Sequence, residues 1–161
     1  PKEGLSRSRY LVFATHGLSL GDIPGLETAG LALALEGSGF KDSVLSVEDI
    51  SSLRLNADLV LLSACNTGLT SGSIGDSVSS MARAFFVAGA RSLMVTAWAV
   101  ETESAKLLSV GTFHAMQQTS TSQLMALVDT QRKMLQGKFG ERYRHPFYWA
   151  PYFIVGDGRG N

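Results

Sequence analysis

One histidine and the only cysteine each follow directly after an apolar segment, a position typical of catalytic side chains. His16 comes after residues 10–15, and Cys65 comes after residues 58–64. A thiol beside an imidazole can cleave an amide bond, because the thiolate attacks the carbonyl carbon and the imidazolium protonates the departing amine. An ordinary thiol has a pKa of about 8.5, and a protonated imidazole nearby would raise its reactive thiolate fraction.

Backbone N–H groups beside this pair could stabilise the charge that develops on the carbonyl oxygen. Gly17 lacks a Cβ, so its backbone can approach a substrate closely, and the Cys65 N–H could be the second donor. On residue types and spacing alone two other interpretations stay open. His16 could be a hydrogen-bonded structural histidine, and Cys65 could be an inert core thiol.

The two apolar segments are predicted to be parallel strands that bring His16 and Cys65 together. Residues 58–64 are apolar on both faces, as a central parallel strand requires, and residues 10–15 are rich in β-formers. In open parallel sheets, ligands bind beyond the carboxyl ends of the strands. Side chains that lie 49 positions apart in the sequence would then meet at one edge.

The rest of the chain alternates between strand and helix patterns, which predicts an α/β fold with a mainly parallel sheet. Further strands are predicted over residues 31–35, 44–45, 92–97 and 152–155, the first two forming a hairpin. Helices are predicted over residues 46–53, from Asp76 or Ser77 to Gly89, over residues 103–117, and after Ser120 or Ser122. The last helix is expected to turn Leu124, Leu127, Met134 and Leu135 inward. Residues 18–28 are predicted to be a loop, and residues 1–161 a single domain.

Composition argues against several classes of protein. Hydrophobic residues make up 45% and charged residues 17%, which is typical of a globular chain. Fourteen basic and fourteen acidic residues cancel, so no electrostatic case for nucleic acid or a membrane surface arises. No apolar run is long enough to span a bilayer, and no signal peptide is recognisable. A single cysteine excludes an internal disulfide and favours a reducing, cytoplasmic location.

Metal and nucleotide chemistry have weak support, so no cofactor is expected. The three histidines and Cys65 lack the spacing of metal ligands. The segment GLTSGSIG at residues 68–75 lacks the Gly-Lys-Ser/Thr ending of a phosphate loop, which also argues against a flavodoxin-like binding domain. His114 is expected to be a surface or packing residue, and His145 is expected to cap or tether a loop.

A series of motifs runs in order from residue 14 to residue 150, within a region of resemblance that covers residues 9–157. They are ATHG at 14–17, ADLVLLSACNTG at 57–68, ARAF at 82–85, AGAR at 88–91, WAV at 98–100 and HPFYWA at 145–150. Together they resemble the CHAT domain, a caspase-like module often found after tetratricopeptide repeats. The resemblance implies a clan of cysteine peptidases that includes caspases, separases and gingipains.

The catalytic dyad of that clan is a histidine in a His-Gly step and a cysteine in an Ala-Cys step. These steps match His16-Gly17 and Ala64-Cys65. The resemblance further implies a mostly parallel caspase-like sheet with helices on both faces, and a substrate bound as an extended strand near residues 96–100. The candidate substrate-binding residues are Thr96, Ala97, Trp98 and Ala99.

The chain departs from the family pattern in two places. Strands that precede the histidine in the family are missing, so an exposed sheet edge is expected. An N-terminal fragment or domain of the same protein, with tetratricopeptide repeats, is then the expected partner. The stretch after Trp98 differs from the family, which leaves the specificity pocket open. Candidate partners for a basic substrate side chain are Asp22, Asp76, Glu101 and Glu103.

The leading hypothesis is a cysteine endopeptidase that hydrolyses peptide bonds of a protein or peptide substrate through a thioester intermediate. The alternative is a catalytically silent caspase-like module that recruits or regulates partners. Intact His16 and Cys65 favour the enzyme.

Overall fold

The computed structural model describes residues 2–18, 22, 27–33, 43–63, 74–119 and 121–159. The strands in this part of the chain are β1 (Tyr10–Phe13), β2 (Gly17–Leu18), β3 (Gly30–Ala32), β4 (Val44–Ser46), β5 (Leu59–Leu62), β6 (Ser92–Thr96) and β7 (Tyr152–Gly156). The helices are α1 (Lys2–Leu5), α2 (Val47–Ser51), α3 (Ile74–Ala88), α4 (Thr102–Thr119) and α5 (Gln123–Leu135).

A four-stranded sheet in the order β1-β5-β6-β7 forms the centre of the molecule. Strands β1, β5 and β6 are parallel, and β7 pairs with β6 in the antiparallel direction. Every residue of β5 and β6 is buried, which agrees with the apolar sequence of β5 and with the apolar residues 93–95 of β6. The predicted α/β fold with a mostly parallel sheet is confirmed.

Helices cover both faces of this sheet, as expected. Successive side chains of a strand point to opposite faces, so Leu62 and Leu61 of β5 enter different cores. Leu62 packs in the core that contains Phe85 of α3, and Leu61 packs in the core that contains Leu108 of α4. Full burial of such a side chain contributes about 1.5–3 kcal/mol to folding, so the two cores together fix the sheet between its helices.

A smaller antiparallel sheet, β2-β3-β4, follows strand β1 in the chain. Leu31 pairs with Leu45 in β3 and β4, so the predicted hairpin is confirmed for the described residues. Leu18 was expected to begin a loop, and that prediction is wrong because Leu18 belongs to β2 and pairs with Gly30. A two-residue strand has too short a pattern to be recognised in the sequence.

The helix boundaries follow capping chemistry. Ser46 caps α2, as expected from the sequence, and the structure adds a reciprocal bond from Asp49 that completes a capping box. Ser122 caps α5 by accepting a hydrogen bond from the Met125 N–H at 3.2 Å. Helix α3 begins at Ile74 and therefore starts before the predicted Asp76.

The expectation that Leu124 and Leu135 face inward is wrong, because each is 49% exposed. The buried stripe of α5 passes through positions spaced three or four residues apart, and both leucines lie one residue away from it. The stripe consists of Gln123, Ala126, Leu127, Thr130 and Met134.

Strand β1 forms an open edge of the central sheet, as expected from the sequence. The carbonyl groups of Arg9 and Phe13 accept hydrogen bonds from residues of the β5 segment, so the main-chain groups of Tyr10 and Val12 face the other way. The Tyr10 and Val12 side chains are 48% and 54% exposed. Within the described part of the chain, nothing pairs with this edge.

A buried carboxylate ties the amino ends of the three parallel strands together. Asp58, which precedes β5 and is 5% exposed, forms ion pairs with Arg9 before β1 and with Arg91 before β6. The hydrogen bond to Asp58 raises the pKa of Arg9 above its usual value. This cluster lies at the end of the sheet opposite His16 and holds the strands in register.

Replacing Gly89 with alanine is expected to destabilise the fold. Gly89 ends α3 with φ of +107°, and a Cβ there would lie 2.3 Å from the Leu55 carbonyl oxygen. Strain of this kind costs about 1–3 kcal/mol, so the urea midpoint of Gly89→Ala should fall clearly. Gly4→Ala is the matched control, because a Cβ at Gly4 has nothing within 4 Å. Equal urea midpoints for the two variants would contradict this account of the helix end.

Candidate functional site

His16 lies just beyond the carboxyl end of β1, in the connection to β2. Its carbonyl oxygen accepts a hydrogen bond from the Ala32 N–H at 2.9 Å, and the Thr15 hydroxyl donates to the Ala32 carbonyl. These bonds anchor the backbone of His16 and the side chain of Thr15 to β3. The His16 side chain is exposed and accessible at the end of the sheet.

The N–H of Gly17 points away from β3. Gly17 is opposite Leu31, and the bond from Ala32 to His16 makes this a non-hydrogen-bonded pair of the antiparallel ladder. Gly17 is buried, and no described residue accepts its N–H. The role of the Gly17 N–H as an oxyanion donor stays a prediction.

Strand β5 ends beside β1 in a register that brings its carboxyl end next to His16. Phe13 pairs with Leu62, and the Ser63 N–H donates to the Phe13 carbonyl at 3.0 Å. Paired residues differ by 49 positions, which is also the separation between His16 and Cys65 in the sequence. Cys65 lies outside the described residues, so its roles as nucleophile and N–H donor stay predictions.

A cleft of about 360 Å³ opens next to His16, between the ends of β1 and β5 and the first half of α4. This volume is at the lower end of the range of about 300–1,000 Å³ for ligand pockets. The cleft has an apolar floor and a rim with hydroxyl and charged groups. Its described lining consists of Val12, Ala14, Thr15, His16, Leu61, Ser63, Val100, Thr102, Ala105, Lys106 and Ser109.

No carboxylate belongs to the described lining of the cleft, although two acidic residues lie at the start of α4. Glu101 accepts a hydrogen bond from the Ser104 N–H at 2.9 Å, and this bond, followed by the charge of Arg142, lowers the pKa of Glu101. Glu103 pairs with Lys106 at 3.4 Å. Glu101 and Glu103, considered from the sequence as partners for a basic substrate, are therefore engaged elsewhere.

The other two acidic candidates from the sequence are Asp22 and Asp76. Asp22 is exposed and is not part of the cleft wall. The side chain of Asp76 lies outside the described part of the chain.

The segment predicted to bind substrate runs from the end of β6 toward the cleft. Thr96 is buried opposite Tyr152, and the Ala97 N–H donates to the Pro151 carbonyl at 2.9 Å. Trp98 Nε1 donates to the Phe147 carbonyl at 3.3 Å. Ala99 is exposed, and the next residue, Val100, is the first of this segment to line the cleft. Substrate binding by residues 96–99 stays a prediction.

The other two histidines have local contacts. His145 Nδ1 accepts a hydrogen bond from the Phe147 N–H at 3.2 Å and caps the turn Pro146–Tyr148, so the predicted capping role is confirmed. His114 is exposed on α4 and lies 3.2 Å from the Gln118 side chain. Across the described ranges, no cluster of three potential metal ligands occurs, and no helix is both long and apolar enough to cross a bilayer.

The contribution of α4 to the cleft was not recognised from the sequence, which suggested packing roles for this helix and a substrate contact only for Glu103. Thr102, Ala105, Lys106 and Ser109 recur at helical spacing and form one face of α4. A stripe of small and polar residues beside an apolar stripe was the available signal. The stripe alone does not show which other element it faces.

Comparison with known proteins agrees with this arrangement. A family model described as "CHAT domain" matches residues 2–157. Tetratricopeptide repeat protein 28 of Mus musculus is 26% identical over 117 residues, which cover 72% of this chain and 4% of the mouse protein. The Homo sapiens protein of the same name is 25% identical over 143 residues, which cover 89% of this chain and 5% of the human protein.

The matched region is thus a small part of these curated relatives, whereas the family model spans nearly the whole chain. The α/β sheet with helices on both faces and the cleft beside His16 are consistent with that match. The chain belongs to the CHAT domain family, which is related to the caspase-like peptidases.

Proposed function

We propose that this chain is the catalytic part of a cysteine endopeptidase in which Cys65 is the nucleophile and His16 the general acid and base. The register of β1 and β5 is the observation that carries the proposal. Its offset of 49 residues equals the separation of His16 and Cys65, each three residues beyond the pair Phe13 and Leu62. Side chains at equivalent positions after paired parallel strands share one edge of the sheet.

The proposed reaction has two stages. The Cys65 thiolate attacks the carbonyl carbon of the substrate, and the carbon–nitrogen bond breaks as His16 gives a proton to the leaving amine. The acyl group is then held as a thioester. Water attacks the thioester, His16 takes a proton from that water, and the carbon–sulfur bond breaks to release the acid and the thiolate.

The Gly17 N–H is suited to stabilise the oxyanion that forms in both stages. It is adjacent to His16, it points away from β3, and it lacks an acceptor among the described residues. Loss of one oxyanion donor typically lowers the rate by on the order of 10²-fold or more. We propose the Cys65 N–H as the second donor.

The domain is proposed to act within a longer protein that carries tetratricopeptide repeats. The curated relatives are named for such repeats, and this chain corresponds to only 4–5% of their length. A repeat array would bind a protein partner or substrate and present it to the cleft.

Cys65→Ala is expected to abolish peptide hydrolysis by the full-length protein, because the thioester cannot form. His16→Ala should reduce kcat/KM by on the order of 10²–10⁴-fold, the usual contribution of general acid–base catalysis. The measurement is cleavage of a protein library followed by mass spectrometry. His114→Ala is the matched control, since His114 is exposed on α4 and lies outside the cleft lining.

Cleavage at the wild-type rate by Cys65→Ala would refute the proposed nucleophile. Absence of cleavage by the wild-type protein, with the fold intact, would favour the silent interaction module instead.

Alkylation of Cys65 by iodoacetamide is expected to depend on His16 in a pH-dependent way. An imidazolium neighbour lowers the pKa of a thiol from its usual value of about 8.5, so the wild-type protein should react well at about pH 6.5. His16→Ala should react about tenfold or more slowly there, because one pKa unit changes the thiolate fraction tenfold.

At about pH 9.5 both proteins should react at similar rates, because an unperturbed thiol is also ionised. Cys65 is the only cysteine in this sequence, so mass spectrometry of its peptide reports this reaction directly. If the wild type and His16→Ala react at the same rate at about pH 6.5 as well as at about pH 9.5, His16 does not activate the thiol.

A further inference from the structure

We infer that the cleft beside His16 receives a large apolar side chain of the substrate, at one of the two residues that flank the cleaved bond. This inference rests on the proposed peptidase function and adds a substrate class to it. The cleft begins at the His16 side chain and continues between β1 and α4. A peptide held for attack beside His16 therefore places a neighbouring side chain at the mouth of this cleft.

The floor of the cleft matches an apolar group in chemistry and size. It is formed by Val12, Leu61 and Val100, together with Ala14, which follows β1, and Ala105 of α4. Val12 is 54% exposed in the folded chain, so a bound substrate side chain would cover this apolar surface and remove it from water. The volume of about 360 Å³ suits a side chain with its adjoining backbone.

The charge around the cleft opposes a basic side chain. Lys106 and His16 are the ionisable residues of the described lining. Neither carries a negative charge, so neither can form an ion pair with a lysine or arginine of the substrate. A basic group buried there would lose its water without gaining a carboxylate partner among the described lining residues. The nearest acids, Glu101 and Glu103, do not belong to the described lining: Glu101 interacts with Ser104 and Arg142, and Glu103 pairs with Lys106 at the rim.

An acidic side chain gains little in the same place. The Lys106 side chain is 67% exposed and already pairs with Glu103 at 3.4 Å. Ion pairs with such exposed groups contribute little because water screens them. Burial of apolar surface on the floor therefore decides the preference, and leucine, methionine and phenylalanine are the side chains expected there.

The test compares cleavage of a proteome-derived peptide library by the wild-type full-length protein and by Val12→Asp. The wild type should favour leucine, methionine or phenylalanine over lysine and arginine by tenfold or more at one flanking position. Val12→Asp places a carboxylate on the cleft floor and should shift the preference toward lysine and arginine by at least tenfold. Val87→Asp, at a 74% exposed position on α3, is the control and should cleave like the wild type.

Outcomes that refute the cleft can be separated from those that refute the peptidase. A wild-type preference for charged residues, or an unchanged preference in Val12→Asp, would overturn the inference while cleavage itself supports the proposed function. If the wild type cleaves nothing, the catalytic proposal fails. The apolar side-chain site is then tested by peptide binding.

The binding measurement uses amide hydrogen exchange of Cys65→Ala with capped Ala-Leu-Ala and Ala-Lys-Ala peptides. The leucine peptide should protect residues 11–16 and 100–109, and Val12→Asp should remove that protection. Equal protection by the lysine peptide, or no protection by the leucine peptide, would show that the cleft is not an apolar side-chain site.

Discussion

The parallel pairing of β1 with β5 is the constraint on which the rest of the structure depends. It aligns Phe13 with Leu62 and thereby sets where the chain after each strand emerges. A slip of one residue would turn every side chain of a strand to the other face. Leu61 and Leu62 would then exchange cores, and each core is complementary to different helices. Packing on both faces therefore holds the register at the candidate site.

The amino ends and the carboxyl ends of the parallel strands carry different kinds of side chains. At the amino ends, the buried carboxylate of Asp58 pairs with Arg9 and Arg91, whose side chains are about half exposed. At the carboxyl ends, His16 and the cleft are solvent-accessible. Functional side chains commonly occur on connections that a rigid scaffold positions, and this chain follows that pattern.

One part of the surface of helix α4 packs against the sheet, and another part lines the cleft. Leu108 enters the core against Leu61 and Met94, which anchors the helix to the sheet. Ala105 and Ser109 are too small to fill the space above the end of β1, so an opening remains there. Glu101 stabilises the start of the same helix by accepting from Ser104, which keeps its carboxylate out of the opening. The described lining therefore combines apolar and hydroxyl side chains with His16 and Lys106, and it contains no carboxylate.

Local sequence determined the central strands, the helix cap at Ser46, the end of α3 at Gly89 and the identity of the candidate pair His16 and Cys65. Apolar runs, caps and glycine conformations act over a few residues, so their patterns are visible in the chain itself. Only the tertiary structure decided that Gly17 belongs to β2, that Leu124 and Leu135 lie outside the buried stripe, and that Lys106 and Ser109 face the end of β1. Those features depend on which distant segments pair and how closely a helix approaches a sheet, and no local pattern contains that information.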